Sequence, residues 1–202
     1  GRATKKSFAQ GYCYPCFKRL AQCDTCIVKP ETCHFVEGTC REPEWAERHC
    51  FQPHIVYLAN ASGLKVGITR GTQVPTRWLD QGAVQALPVL AVDTRQQSGF
   101  VEMLFKEEVS DRTNWRAMLK GETAALDLPA ERDRLLARLE AGLANLRERF
   151  GADAFRVLDE APVALDYPVL EYPTKVVSHN LDKSPEVSGT LLGLKGQYLI
   201  LD

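Results

Sequence analysis

The sequence predicts an α+β protein with four parts: a Cys-rich, metal-held N-terminal region, a small antiparallel-sheet α/β domain, a long helix and a C-terminal β segment. Three observations carry this. All seven cysteines fall between Cys13 and Cys50. Short apolar runs punctuated by turn residues begin at His54. A leucine stripe of helical period then gives way to β-rich composition. The expected divisions are residues 1–53, 54–120 and 121–202.

With 202 residues, 45% hydrophobic and 25% charged, the chain has a globular composition and can bury a core. A net charge of -1 excludes a polycation, so a nucleic-acid partner would have to meet a local basic patch. No run of about eighteen apolar residues is present, which argues against a membrane span. The opening GRATKKSFAQ lacks the apolar stretch of a signal peptide. Gly1 standing where a Met would open the chain leads us to expect a trimmed sequence.

Within residues 1–53, Cys13-x-x-Cys16 and Cys23-x-x-Cys26 each have the spacing of a zinc knuckle. The odd cysteine count, the paired spacing and the missing signal point to metal ligation in a reducing cytoplasm. Tetrahedral zinc takes four ligands, so the two pairs could close one site. Cys33, Cys40 and Cys50, joined by His34, His49 or His54, would then supply a second. An iron–sulfur cluster makes similar demands on thiolates, and reduced structural cysteines make none. Apolar side chains are few here, so metal binding is expected to offset the entropy of ordering the backbone.

From residue 54 the chain reads as alternating elements. Residues 55–59 and 64–69 are expected strands joined by the turn Asn-Ala-Ser-Gly. Pro75 suits the first turn of a short helix carrying Arg77, Trp78 and Leu79. Residues 86–92 make a third strand, with Pro88 expected to confine it to an edge or a strand start. A helix from Ser98 places Val101, Leu104, Phe105 and Val109 on one face. The long helix is expected over 129–150, its stripe formed by Leu135, Leu136, Leu139, Leu143, Leu146 and Phe150, with Gly151 as its stop. PVLEYPTKVV and a hairpin around Gly193 to Gly196 form the expected β segment.

Four side chains in this stretch suit phosphodiester chemistry: Tyr57, Lys65, Arg77 and Glu102. Such hydrolysis needs a base for water, a cation facing the phosphate and a metal at the leaving oxygen. Strand periodicity lets Tyr57 share a face with Lys65. Between Ala59 and Arg77 the charged residues are Lys65, Arg70 and Arg77, a positive stretch in a near-neutral protein. Taken singly, Tyr57 suits a core aromatic and Arg77 and Glu102 suit solvated surface positions; the ordered set is what points to a site.

Residues 54–120, through IVYL, KVGIT and PTRWLDQG, resemble the GIY-YIG nuclease superfamily. The resemblance implies that Tyr57 activates the attacking water and that Gly67 is the second-motif glycine. It implies that Arg77 clamps phosphate and that Glu102 holds a catalytic Mg²⁺ or Mn²⁺. Ile55 stands at the first-motif glycine, and Lys65 replaces the second-motif tyrosine, as in a branch with a Lys-Ile-Gly-Ile-Thr form. The implied function is a zinc-stabilised, divalent-metal-dependent endonuclease of the cytoplasm acting on DNA or RNA. The lysine replacement keeps two alternatives open: a catalytically silent zinc protein binding nucleic acid or a ribonucleoprotein, and a zinc-held protein-interaction scaffold.

The whole chain also resembles an uncharacterised bacterial family that joins a Cys-rich region to this domain, through KKSFAQGYCYPCF, CREPEW, PTRWLDQGA, TNWR and GLKGQYLILD. There a further Cys-x-x-Cys-Gly-Arg pair precedes the stretch matched here, with Gly1-Arg2 as its tail. This implies that Cys13 and Cys16 are half of a zinc ribbon, and that Cys23 and Cys26 share a zinc with two of Cys33, Cys40 and Cys50. No oligomeric state follows from the sequence.

Overall fold

A computed structural model describes residues 6–8 and 11–202; Gly1-Arg2 lies outside them. The architecture is α+β. Helix α1 (Tyr14–Arg19) opens on a proline and leads into four single-turn 3₁₀ helices, at Ala21–Cys23, Thr25–Ile27, Pro30–Thr32 and Phe35–Glu37. Helix α2 (Pro43–His49) follows. Among the described residues of this region, Ala21, Cys23 and Ala46 are the buried hydrophobic ones. So small a core matches the apolar poverty of its sequence, and the region leans on the sheet domain for support.

Strands β1 (His54–Asn60), β2 (Leu64–Arg70) and β3 (Gln85–Val92) build the sheet, with α3 (Thr76–Asp80) between β2 and β3. Next come α4 (Arg95–Phe105), α5 (Trp115–Leu119), α6 (Leu128–Arg138) and α7 (Glu140–Phe150). Strands β4 (Phe155–Val157) and β5 (Val163–Ala164) return to the same sheet, whose order is β2-β1-β3-β4, with β5 also on β3. A separate hairpin, β6 (Leu191–Lys195) and β7 (Tyr198–Leu201), ends the chain. No helix among the described residues is long and apolar enough to cross a membrane.

Both faces of the sheet are covered, which explains why β1 is apolar almost throughout. On one face Val56, Leu58, Val66, Leu87 and Leu90 meet Val101 and Phe105 of α4, Leu135 of α6 and Leu143 of α7. On the other, Tyr57, Ala59 and Ala86 meet Trp78 of α3, Met118 and Leu119 of α5, and Ile200 of β7. Each fully buried Leu, Val or Phe contributes about 1.5–3 kcal/mol against exposure, so the two clusters supply most of the driving force for folding.

Four expectations need correction. Strand β3 is internal despite Pro88. The proline sits where the β1–β3 register shifts at Val56/Tyr57, and its other side faces the gap between β4, paired with Leu90–Val92, and β5, paired with Gln85–Ala86. The long helix is two helices meeting at Leu139, where φ -98° and ψ 8° leave the helical range. No proline or glycine stands there, yet Leu135, Leu139 and Leu143 all stay in the core across the break. Helix α4 starts before Ser98, because Thr94 accepts from Gln97 N while the Gln97 side chain accepts from Thr94 N. PVLEYPTKVV forms no strand: Val169 makes one bridge to Gly193, and Pro168 and Pro173 have no N–H to offer a ladder.

His54 opens β1 fully enclosed, with Nδ1 2.7 Å from the Gln52 carbonyl and Nε2 without a partner among the described residues. Burial pulls its pKa down to about 4, against about 6.5 in the unfolded chain. Over that interval the unfolded state binds more protons, so His54 stabilises the fold fully above about pH 6.5 and progressively less as pH falls toward 4. Its contribution is at most about 3 kcal/mol. Denaturant unfolding of wild type and His54→Leu at neutral and mildly acid pH should show the variant losing markedly less stability on acidification.

Candidate functional site

The β1–β2 register pairs Tyr57 with Gly67 and Ala59 with Lys65, so Tyr57 and Lys65 project from one face as diagonal neighbours. A Cβ on Gly67 would stand 2.6 Å from the Tyr57 hydroxyl oxygen and 2.7 Å from Cζ. Only glycine lets the tyrosine ring cross β2 there. Trp78 of α3 meets that ring edge-on, with centroids 5.9 Å apart. Helix α3 is thereby held against the sheet, with Arg77 on its exposed side.

Gln81, just beyond α3, links the two predicted groups. With its amide oxygen toward α3 it accepts from Arg77 Nε at 3.1 Å, from Arg77 Nη2 at 3.2 Å and from the Tyr57 hydroxyl at 3.1 Å. Tyr57 itself is fully enclosed, and burial pushes its pKa up to about 12 against the pull of Arg77. It is therefore a protonated donor behind Gly67 rather than a surface of the cavity.

That cavity, of about 300 Å³, is lined by Lys65, Arg77, Gln81 and Glu102, with Gly67 in its floor and Arg95, Lys106 and Asp111 at its sides. Lys65 is 6% exposed and donates to Thr113 Oγ1 at 3.1 Å. Burial, and then Arg77, lower its pKa. Glu102 reaches the cavity from α4, and burial raises its pKa. Lys106, one turn on, stands 3.2 Å from Glu102 and 3.0 Å from Asp111, so a single cation serves two carboxylates. The structure thus brings Lys65, Arg77 and Glu102 together at one cavity and sets Tyr57 beneath it.

Ile27, Val28 and Pro30 of the Cys-rich region form the remaining wall. They are brought there by α4. Arg95 donates from its side chain to the Ile27 carbonyl and from its backbone N to the Cys50 carbonyl, and Gln96 donates to the Cys33 carbonyl at 3.1 Å. Among the described residues, one group of His, Cys, Asp and Glu places its donor atoms within 4.8 Å of one another: Asp24, Cys26 and His34. These residue types suit a metal ion. His34 Nδ1 meets the Thr39 hydroxyl at 2.7 Å, and Asp24 accepts from Arg41 Nε at 2.7 Å, partners of the kind that orient metal ligands. The Cys26 thiol is pushed up to about 11, first by burial, then by Asp24, Cys33, Cys50 and Cys40.

Of the cysteines expected to ligate metal, Cys26 stands in this group. Cys23 is buried, Cys13 stands at the N-cap of α1 and Cys16 in its first turn. Cys33, Cys40 and Cys50 lie near enough to raise the Cys26 thiol, outside the group formed by Asp24, Cys26 and His34. Of the candidate histidines, His49 stacks on Trp45 and His54 belongs to β1; His34 joins the cluster. Asp24, Arg95, Lys106 and Asp111 were not foreseen. The Thr-Arg-Gln-Gln capping signal at 94–97 would have placed Arg95 at the start of α4, and Lys106 lies one turn from Glu102. Nothing local marks Asp111, which a loop carries back to the cavity. Asn114 caps α5 through Ala117 N, and Trp115 stacks on Tyr198, so both serve packing.

Fold and cavity define a mixed α+β protein with a Cys-rich region docked beside a polar, cationic pocket. The chain belongs to a family of proteins of unknown function, DUF2797, whose model matches residues 1–202. No curated protein and no solved structure matches it.

Replacing Gly67 by Ala should displace the Tyr57 ring and cost about 1–3 kcal/mol. Thermal unfolding would register this as a lower Tm, and Gly67→Ala combined with Tyr57→Ala should lose less than the two single changes add up to.

Proposed function

We propose that the chain is a metal-dependent phosphodiesterase acting on nucleic acid, with a zinc-held Cys-rich region forming part of its active site. The reading rests on one observation: Lys65, Arg77 and Glu102, separated in sequence and borne on a strand and two helices, line one small polar cavity. Arg77 and Arg95 offer guanidinium charge to the phosphate. Lys65, whose ammonium form is disfavoured by burial and by Arg77, is the group placed to take the proton of the attacking water. Tyr57 acts through Gln81, fixing the Arg77 fork.

Glu102 and Asp111 already share one cation in Lys106, and their oxygen donors suit Mg²⁺ or Mn²⁺. They would hold such an ion, which when bound supplies Lewis-acid stabilisation at the leaving oxygen. At the second metal site, Asp24, Cys26 and His34 fit zinc by ligand type, with a further thiolate from Cys33, Cys40 or Cys50 completing four.

A second reading is favoured by Lys106 itself. An ammonium standing between both carboxylates can serve as the permanent counter-ion of a catalytically silent pocket that binds nucleic acid without cleaving it.

Hydrolysis assays on DNA and RNA with Mg²⁺ or Mn²⁺ separate the two. The phosphodiesterase reading expects turnover that Glu102→Gln lowers about 10²- to 10³-fold and that Tyr57→Phe, losing one neutral hydrogen bond, lowers about tenfold or less. Full activity in Glu102→Gln would remove that carboxylate from the mechanism. A thousandfold loss in Tyr57→Phe would return the tyrosine to the role of base. Salt-dependent binding without turnover would favour the silent pocket.

A further inference from the structure

A second cavity, of about 580 Å³, adjoins the first. Ile27, Val28 and Arg95 line both, and β2 runs along them, giving Lys65 and Gly67 to one and Arg70 to the other. The two differ in chemistry. The smaller is walled by ammonium, guanidinium and carboxylate groups. The larger adds aromatic rings, Tyr12, Phe17 and Trp45 with His49, to a wall that also holds Arg70, Arg95, Asp24, Cys23 and Cys50. Trp45 and His49 lie nearly parallel, with interplanar angle 7° and centroids 4.2 Å apart, a two-ring stack that a base would extend from an outer face. Arg95 sits at the junction with its Nε buried and without a hydrogen-bond partner among the described residues.

We propose that the larger cavity receives an unstacked base of the nucleic-acid strand whose phosphate occupies the smaller one, so that the substrate is single-stranded or carries a flipped nucleotide. This rests on the phosphodiesterase or nucleic-acid-binding reading of the smaller cavity and deepens it. The physical case has three parts. Every base has a π face that stacks on indole or imidazole whatever its sequence. Arg70 and Arg95 line the aromatic chamber and Arg77, Arg95 and Lys106 the polar one, so positive charge tracks a phosphodiester backbone from one to the other. A base inside a duplex cannot enter a chamber lying beside its own phosphate without leaving the stack. Arg95, which lines both cavities, brings its guanidinium charge to the junction where the linking phosphate would pass.

The test is fluorescence anisotropy at low salt, without divalent ion, on the protein as purified. The probes are a short labelled single strand and the blunt duplex of the same sequence. Wild type should bind the single strand about tenfold or more tightly than the duplex. Trp45→Ala should lose about tenfold on the single strand with little change on the duplex, and Trp45→Phe should keep most of the affinity. Should Trp45→Ala fail to fold, Arg70→Gln, altered only in the aromatic chamber, should weaken single-strand binding and flatten its salt dependence. Equal affinity for both probes, or single-strand binding unmoved by the Trp45 and Arg70 changes, overturns the base chamber while leaving the phosphate site standing. No binding of either probe overturns both.

Discussion

The backbone of Pro30 and Glu31 lies so close to α4 that a Cβ on Gly99 would stand 2.7 Å from Glu31 N and 2.7 Å from Pro30 Cβ. The rest of the site depends on this approach. It lets the hydrogen bonds from Arg95 and Gln96 to the carbonyls of Ile27, Cys50 and Cys33 form together. It also brings Ile27, Val28 and Pro30 to the cavity lined by Glu102, which the same helix carries. A larger side chain at 99 would have to displace backbone, where relaxation is costly. The wall of the cavity and its carboxylate are thus set by one packing contact between a region with almost no core of its own and a helix buried in the main core.

A second close approach, Tyr57 over Gly67, does for α3 what Gly99 does for the Cys-rich region. The ring fills the space where a β2 side chain would stand, Trp78 closes on it, and its hydroxyl reaches Gln81. Arg77 is exposed, and an exposed arginine is ordinarily free to sample many rotamers. Gln81 restricts it from behind. The two glycines lie on elements that flank the polar cavity, and each exchanges its own side-chain volume for a neighbour's position.

Legibility in the sequence followed the range of the interactions. The β1–β2 hairpin, α3 and the terminal hairpin were readable because local alternation, turn residues and a proline at a helix start determine them. Lys65, Arg77 and Glu102 could be nominated because their residue types and order are unusual together. What escaped depends on contacts distant in sequence. Pro88 is tolerated inside the sheet only because β4 and β5 leave a gap opposite it. The break at Leu139 follows from packing on a shared core, and periodicity alone runs straight through it. Asp111 and Arg95 gain meaning only when a loop and a helix start are brought to the cavity.

If the Cys-rich region is held by metal and seated on α4, its order and that of the main core are separable. A structural zinc site contributes about 10–16 kcal/mol of folding free energy, whereas the sheet is held by its own two apolar clusters. Amide hydrogen exchange before and after chelation measures both at once. The account predicts that chelation strips protection from residues 24–50 and loosens the first turn of α4, while β1, β2 and β3 keep theirs. Protection in 24–50 that survives complete removal of metal would contradict it.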